Sequence, residues 1–364
     1  GITGMGGFVL AATIAARVGR AALPPPLSDF WVPTGWSYHN VATLGPSPRA
    51  VTAAVARSLQ TLETNPAQGY FGGGNVTTPA TAAMEAVRVQ AAAALNANLN
   101  ETAVMPSTTV SLNTVVTGLV SSGFVRSGDR VLTTDQEHAG GLAGWRHYTT
   151  VQPVLASLDM VSISVNPPPA SESAVLSAFA AALANHTYRV VAVSHVTTTN
   201  GLRLPLKELA DMVHAHGAIL VVDGAQAHGG IAVDVKALRV DVYATSSHKW
   251  LLSAKGSGLL YISSAVHNYV KPPWFDGGLN PYTGSSGTRP QHTIAGLGAA
   301  IDYFNQWGCV ESHVAPSSPP LPCHVVYRLL VLHCFGFAPC FPQSLALNLS
   351  SSAPATVYIA FLGA

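Results

Sequence analysis

The sequence predicts an α/β protein: a mostly parallel sheet covered by helices on both faces. Three observations carry this. Short β-branched runs, residues 189–194 (RVVAVS) and 218–222 (AILVV), read as strands buried on both sides. Segments of helical periodicity lie between the strands, without hairpin turn residues, so successive strands need crossover connections. The 364 residues are 48% hydrophobic and only 10% charged, against about 25% charged in ordinary soluble domains. That balance excludes global disorder and allows a large core.

Each element has its own justification. Residues 48–63 read as a helix with Pro48 at its first turn. Residues 78–96 form an Ala-rich helix opened by Pro79. A short strand at 102–105 precedes Ser107-Thr108-Thr109, which opens a helix to about Leu119. Strands follow at 130–133 and 160–165, then a helix at 171–183. After the strand at 189–194, a helix at 206–216 ends at Gly217, a C′ glycine. The strand at 218–222 is the clearest, and short strands at 241–245 and 258–262 complete the set. Beyond Gly308 the alternation stops, and residues 317–323 read SSPPLPC. There is no internal repeat.

Charge and cysteine usage narrow the function classes. Eighteen Lys+Arg against seventeen Asp+Glu leave a net charge of +1, and without a basic cluster no nucleic-acid partner is expected. Four cysteines cannot form a disulfide scaffold, and Cys309, Cys323, Cys334 and Cys340 lack CxxC spacing. His214 and His216 lie two apart on a helix and face different sides, so no metal site is expected. The apolar stretch at 6–16 is too short to span a bilayer, and Arg17 and Arg20 follow rather than precede it. It reads as a targeting remnant or as an ordinary leader. The chain starts at Gly1, so its true start stays open. The apolar run at 329–335 is followed by Pro339 and Pro342, which argues against a transmembrane helix.

Ligands of such sheets sit at the carboxyl ends of the strands. Four places there present polar residues: Asp223 after AILVV, Ser246-Ser247-His248-Lys249 after DVYAT, Ser107-Thr108-Thr109, and Glu137-His138 after RVLTT. Each has a plain alternative. Lys249 is a surface lysine or a desolvated amine able to attack a carbonyl. Asp223 is a helix cap or a buried carboxylate seeking a cation. The hydroxyl triplet is a simple N-cap or an anion cup at a helix N-terminus. Taken together they describe a Schiff-base lysine, a partner for a pyridinium nitrogen and a phosphate cup, the three needs of pyridoxal 5′-phosphate.

At these residues the sequence resembles the class V aminotransferase family of fold-type I, pyridoxal-phosphate-dependent enzymes. The run VVDGAQAHGGIAVDVKALRVDVYATSSHKWLLSAKGSGLLYI is similar to the family's cofactor-lysine region. YHNVATLGPSPRAV, LTTDQEHAGGLAGW, SHVTTTNGLRLP and GTRPQHTIAGLGAAIDYF also match, so the resemblance covers about Phe30 to Gly308. Within the family the chain looks most like the isopenicillin N epimerase-like branch. The resemblance implies a seven-stranded-type sheet. It divides the chain into a leader (1–27), an N-terminal segment (28–50), a large cofactor domain (51–265), a return to a small domain (266–308) and a divergent tail (309–364).

The resemblance also implies roles. Lys249 carries the aldimine and moves the proton at the substrate Cα. Asp223 pairs with the ring nitrogen, His138 stacks on the ring, and Gln226 and Thr198 reach the phenolic oxygen. Ser107, Thr108, Thr109, Ser246 and His248 hold the phosphate. Thr288 reaches the neighbouring subunit's phosphate, which implies a homodimer. The expected function is an enzyme acting at the α-carbon of an amino acid, as aminotransferase, epimerase or C–S lyase. The tail departs from the family: Arg328 is its only arginine, and no cysteine stands where desulfurases carry theirs. A catalytically impaired relic or partner subunit is therefore the alternative, and a membrane-tethered protein a third reading. The compartment stays open, cytoplasm being favoured over export or an organelle. Gly72-Gly73-Gly74 reads as a flexible loop and His195 as a packed strand-end residue, and Gly256-Ser257-Gly258 does not form a GxSxG elbow.

Overall fold

The computed structural model describes residues 25–33, 38, 40–66, 79–163, 169, 171–271 and 289–307. The apolar leader to Pro24, Gly72–Gly74, Thr288, all four cysteines and the tail lie outside them. Helices α1 (Arg49–Thr64) and α2 (Pro79–Ala94) come first. Then follow β1 (Thr102–Met105), α3 (Thr108–Ser121), β2 (Arg130–Thr134), α4 (Ala139–Arg146), β3 (Ser157–Val161), α5 (Glu172–Asn185) and β4 (Val190–Ser194). The rest are α6 (Leu206–Ala215), β5 (Ile219–Asp223), β6 (Val242–Ser246), β7 (Gly258–Ile262) and α7 (Gln291–Trp307).

The seven strands form one sheet in the order β1-β7-β6-β5-β4-β2-β3. Pairs β2–β3, β2–β4, β4–β5 and β5–β6 are parallel. Strand β7 runs antiparallel to both β6 and β1. The expected parallel sheet therefore holds for its centre and one flank. The β6–β7 connection contains no helix, so the chain turns back beside β6 rather than crossing over.

The period of two along each strand divides the core. Leu132, Val191, Val193, Leu220, Val222, Tyr243 and Leu259 pack on one face with α5 and α6. Val131, Val190, Ala192, Ile219, Val221, Val242 and Leu260 pack on the other with α3. Helix α3 buries Leu112, Val115, Val116 and Leu119, and α6 buries Leu206, Leu209, Ala210 and Val213, each an i, i+3, i+4, i+7 stripe. Gly217 takes φ +72° after α6, as its C′ position requires.

One strand moves from its expected place. Residues 160–165 were expected as a strand; β3 instead spans Ser157–Val161. It is the sheet edge and pairs only with β2. Its Asp159 bonds Arg130 and Tyr188, so polar residues serve where a central strand would need apolar ones. Helix α4 and helix α7 are further elements that the strand-helix reading did not assign.

Candidate active site

The strand period aims three side chains at one spot. Asp223, Ser194 and Ser246 end β5, β4 and β6 in the phase that faces α3. In register, Asp223 lies between Ser194 on β4 and Ala244 on β6. Its Oδ1 accepts the Ala225 amide at 2.9 Å. A Cβ at Gly141 in α4 would stand 3.1 Å from its Oδ2, so the glycine lets α4 close over the acid.

Lys249 follows β6 in a tight turn, its amide donating to the Ser246 carbonyl at 3.2 Å. The N-terminal segment clamps this turn. The Gly45 amide donates to the His248 carbonyl at 2.8 Å. Lys255 Nζ donates to the Gly45 carbonyl and, at 3.0 Å, to Ser47 Oγ. Burial lowers the pKa of Lys249, and Asp223 opposes that shift. Burial raises the Asp223 carboxyl, opposed by the Ala225 amide, Lys249 and His138. The two groups are thus an acid and an amine that stabilise each other's charge in a desolvated place.

The hydroxyl cup assembles at the start of α3. Ser107 caps the helix, its Oγ accepting from the Val110 amide at 3.3 Å. The Thr108 amide donates to Ser246 Oγ at 3.2 Å, and the two hydroxyls meet at 2.8 Å. Thr109 is exposed beside Gly140. His248 is half-buried with Nδ1 3.2 Å from the Ser257 carbonyl, and burial lowers its pKa. His138 caps α4, its Nδ1 accepting the Gly140 amide at 3.1 Å.

Gln226 and Thr198 stand at 3.5 Å, but the Gln226 amide has other partners. Its Oε1 accepts from Trp250 Nε1 at 2.8 Å and its Nε2 donates to the Ala42 carbonyl at 3.0 Å. His195 is fully buried, with Nδ1 2.8 Å from the Tyr243 hydroxyl, a packed strand-end residue as expected.

Sequence reasoning gave no role to Glu137, Thr134 and Ser194. Glu137 bonds Ser194 Oγ at 2.5 Å and Thr134 Oγ1 at 2.6 Å. Burial is the main cause that raises its pKa to about 7, against the Ser194 and Thr134 hydroxyls, with Asp223 adding to the rise. The signal available was an acid three residues after β2 and directly before His138.

These residues fit pyridoxal phosphate by their chemistry. Asp223 is a desolvated acid that a protonated ring nitrogen would satisfy. Lys249 is a desolvated amine beside it. The start of α3 gathers backbone amides and hydroxyls suited to a phosphate. Among the described residues no His/Cys/Asp/Glu cluster could hold a metal.

The chain is similar to known proteins in sequence and in fold. The family model described as aminotransferase class-V matches residues 38–315. A cysteine desulfurase of Yersinia pestis (strain Pestoides F) is 32% identical over 249 residues, 64% of this chain and 59% of that protein. One of Salmonella dublin is 33% identical over 245 residues, 63% of this chain and 58% of its own. The chain thus spans less than two thirds of these relatives. The apo structure of cysteine desulfurase from Thermococcus onnurineus NA1 superposes with TM-score 0.65 at 25% identity, covering 78% of this chain and 70% of that one. The cystine C–S lyase C-DES, in complex with its product cysteine persulfide, shares the fold with TM-score 0.65 at 23% identity, over 76% of this chain and 74% of its own. A C-DES mutant structure carries glycine covalently linked to the pyridoxal phosphate cofactor. With the family model spanning most of its length, this chain belongs to the class V aminotransferase family.

Proposed function

We propose that this chain is a pyridoxal-phosphate-dependent enzyme acting at the α-carbon of an amino acid, with cleavage of a Cβ–S bond as its reaction. The observation that carries the proposal is the placement of Asp223 at the end of β5 and of Lys249 in the turn after the neighbouring β6, with Ser246 of β6 bonded to the hydroxyl-rich start of α3. The sulfur chemistry is supported by the names of the relatives, two cysteine desulfurases and a cystine C–S lyase. Transfer of the sulfur to a protein cysteine and elimination are both forms of this cleavage, and their products distinguish them.

The residues divide the work. Asp223 holds the positive charge of the ring nitrogen. Thr108 and Ser246, with Ser107, Thr109 and His248, hold the phosphate by hydrogen bonds and by the positive end of α3. His138 lies against the ring, and Thr198 and Gln226 border its phenolic oxygen. When bound, the cofactor supplies an electron sink for the pair left at Cα. The lowered pKa of Lys249 leaves more free amine near neutral pH to take the Cα proton. Desolvation around Lys249 limits competing proton exchange with water.

The family resemblance supports a homodimer whose Thr288 contacts the partner's phosphate, and the division into a cofactor domain at 51–265 and a small domain at 266–308. Among the described residues no helix is long and apolar enough to cross a membrane.

The test is the visible absorbance of the full chain with added pyridoxal phosphate, beside Lys249→Ala. A band in the parent that borohydride converts to a covalent adduct at Lys249 supports the site. Release of pyruvate, ammonia and sulfide from L-cysteine, or of pyruvate, ammonia and cysteine persulfide from L-cystine, supports elimination. Racemised substrate instead would favour the isopenicillin N epimerase-like branch. A folded parent without band or adduct would overturn the reading.

A further inference from the structure

Glu137 is a carboxyl that the roles above leave unused. It follows β2, and Asp223 ends β5, yet both line one small cavity with Thr133, Gly141, Trp145 and Ala192. Its volume is about 10 Å³, room for at most one water. Ser194 ties the two acids mechanically: its hydroxyl bonds Glu137 at 2.5 Å, and it is the register partner of Asp223. Gly141 lines the cavity, and a Cβ there would stand 3.1 Å from Asp223 Oδ2.

We propose that Glu137 is a positioning residue, sharing one proton with Asp223 across this cavity through a single water and keeping Asp223 the anionic member. Two carboxyls in one desolvated site cannot both ionise at ordinary cost. Their surroundings decide which one carries the charge. Asp223 faces Lys249 beyond β6 and His138 at the head of α4, and receives the Ala225 amide. Tyr243 on β6 feels the Asp223 charge, its hydroxyl raised well above the ordinary value, chiefly by burial. Glu137 has the hydroxyls of Ser194 and Thr134 and the neighbouring negative charge of Asp223. Both hydroxyls donate to Glu137 and pull toward its anion, but burial and the Asp223 charge outweigh them. The proton therefore rests on Glu137. The consequence for catalysis rests on Asp223 being the partner of the ring nitrogen; the proton-sharing pair itself does not.

Infrared spectroscopy of the cofactor-free full chain tests this, reading the C=O stretch of a protonated carboxylic acid against pH. The parent should keep one such band up to about pH 7. Glu137→Gln should abolish it. Asp223→Asn should retain it but lower its midpoint by about one pH unit, the size of a coupled pair. Glu137→Asp, checked as folded by circular dichroism, should restore a band if Glu137→Gln fails to fold. A band that survives in Glu137→Gln, or a midpoint unmoved in Asp223→Asn, overturns the proposal. Pyridoxal phosphate affinity measured on Asp223→Asn separates the two ideas. Parent-like affinity there would refute the ring-nitrogen role while leaving the infrared result intact.

Discussion

Gly45→Ala probes how the N-terminal segment holds the lysine turn. A Cβ at Gly45 would sit well inside the van der Waals contact distance of the Lys249 carbonyl oxygen, 2.6 Å from Leu252 Cδ2 and 3.1 Å from the Lys249 carbonyl carbon. The Leu252 side chain can rotate aside. The Lys249 backbone cannot, because Leu252 is held at φ +60° and its amide donates to that same carbonyl at 3.1 Å. Either the segment lifts or the turn moves. Overpacking of this kind costs about 1–3 kcal/mol. Lifting also weakens the Gly45–His248 hydrogen bond, a further loss of about 1 kcal/mol. The sum is about 2–4 kcal/mol. If about 1.4 kcal/mol of it displaces Lys249, cofactor affinity falls about tenfold. Urea unfolding of the cofactor-free protein and absorbance titration with pyridoxal phosphate read the two effects. Gly123→Ala is the control: its φ is +72° but nothing lies within 4 Å of the added carbon, so only the backbone penalty of about 1–2 kcal/mol applies and cofactor affinity stays at the parent value. Parent-like stability and affinity in Gly45→Ala would refute the clamp.

Other outcomes follow from the same geometry. Asp223→Asn removes the charge that supports the Lys249 ammonium; its pKa should fall further, read as faster labelling of Lys249 by an amine reagent below neutral pH. His195 has its pKa lowered from 6.5 to about 3 by burial, so the unfolded chain binds more protons between those values. Its contribution is full above pH 6.5 and is lost as pH falls toward 3; His195→Gln, if folded, should flatten that part of a stability-against-pH curve. Glu137 works with the opposite sign. An acid raised from 4.5 to about 7 contributes stability below pH 4.5 that is lost as pH rises through 7, and Glu137→Gln should remove that slope.

Local pattern was enough for much of the fold. The β-branched runs at 189–194 and 218–222 became β4 and β5 because their residues are apolar on both faces. Stripes such as Leu206-Leu209-Ala210-Val213 needed only the helical period. Strand β3 starts three residues before its expected place because an edge strand is polar enough to carry Asp159. The antiparallel run of β7 depended on a return path that no periodicity encodes.

The same division holds at the site. The sequence by itself determined which residue types end the strands: Asp223 after five apolar residues, Lys249 after DVYAT and its SSH extension, hydroxyls at the start of α3. Strand ends face one side by chain geometry, so those groups had to converge. The tertiary structure alone decided the partners. It set Gly45 against the Lys249 turn, joined Thr108 to Ser246, and brought Glu137 to the same cavity as Asp223. Each of these contacts joins segments far apart in the chain, and desolvation, which shifts the acids and the amine, arises only when the sheet and helices enclose them.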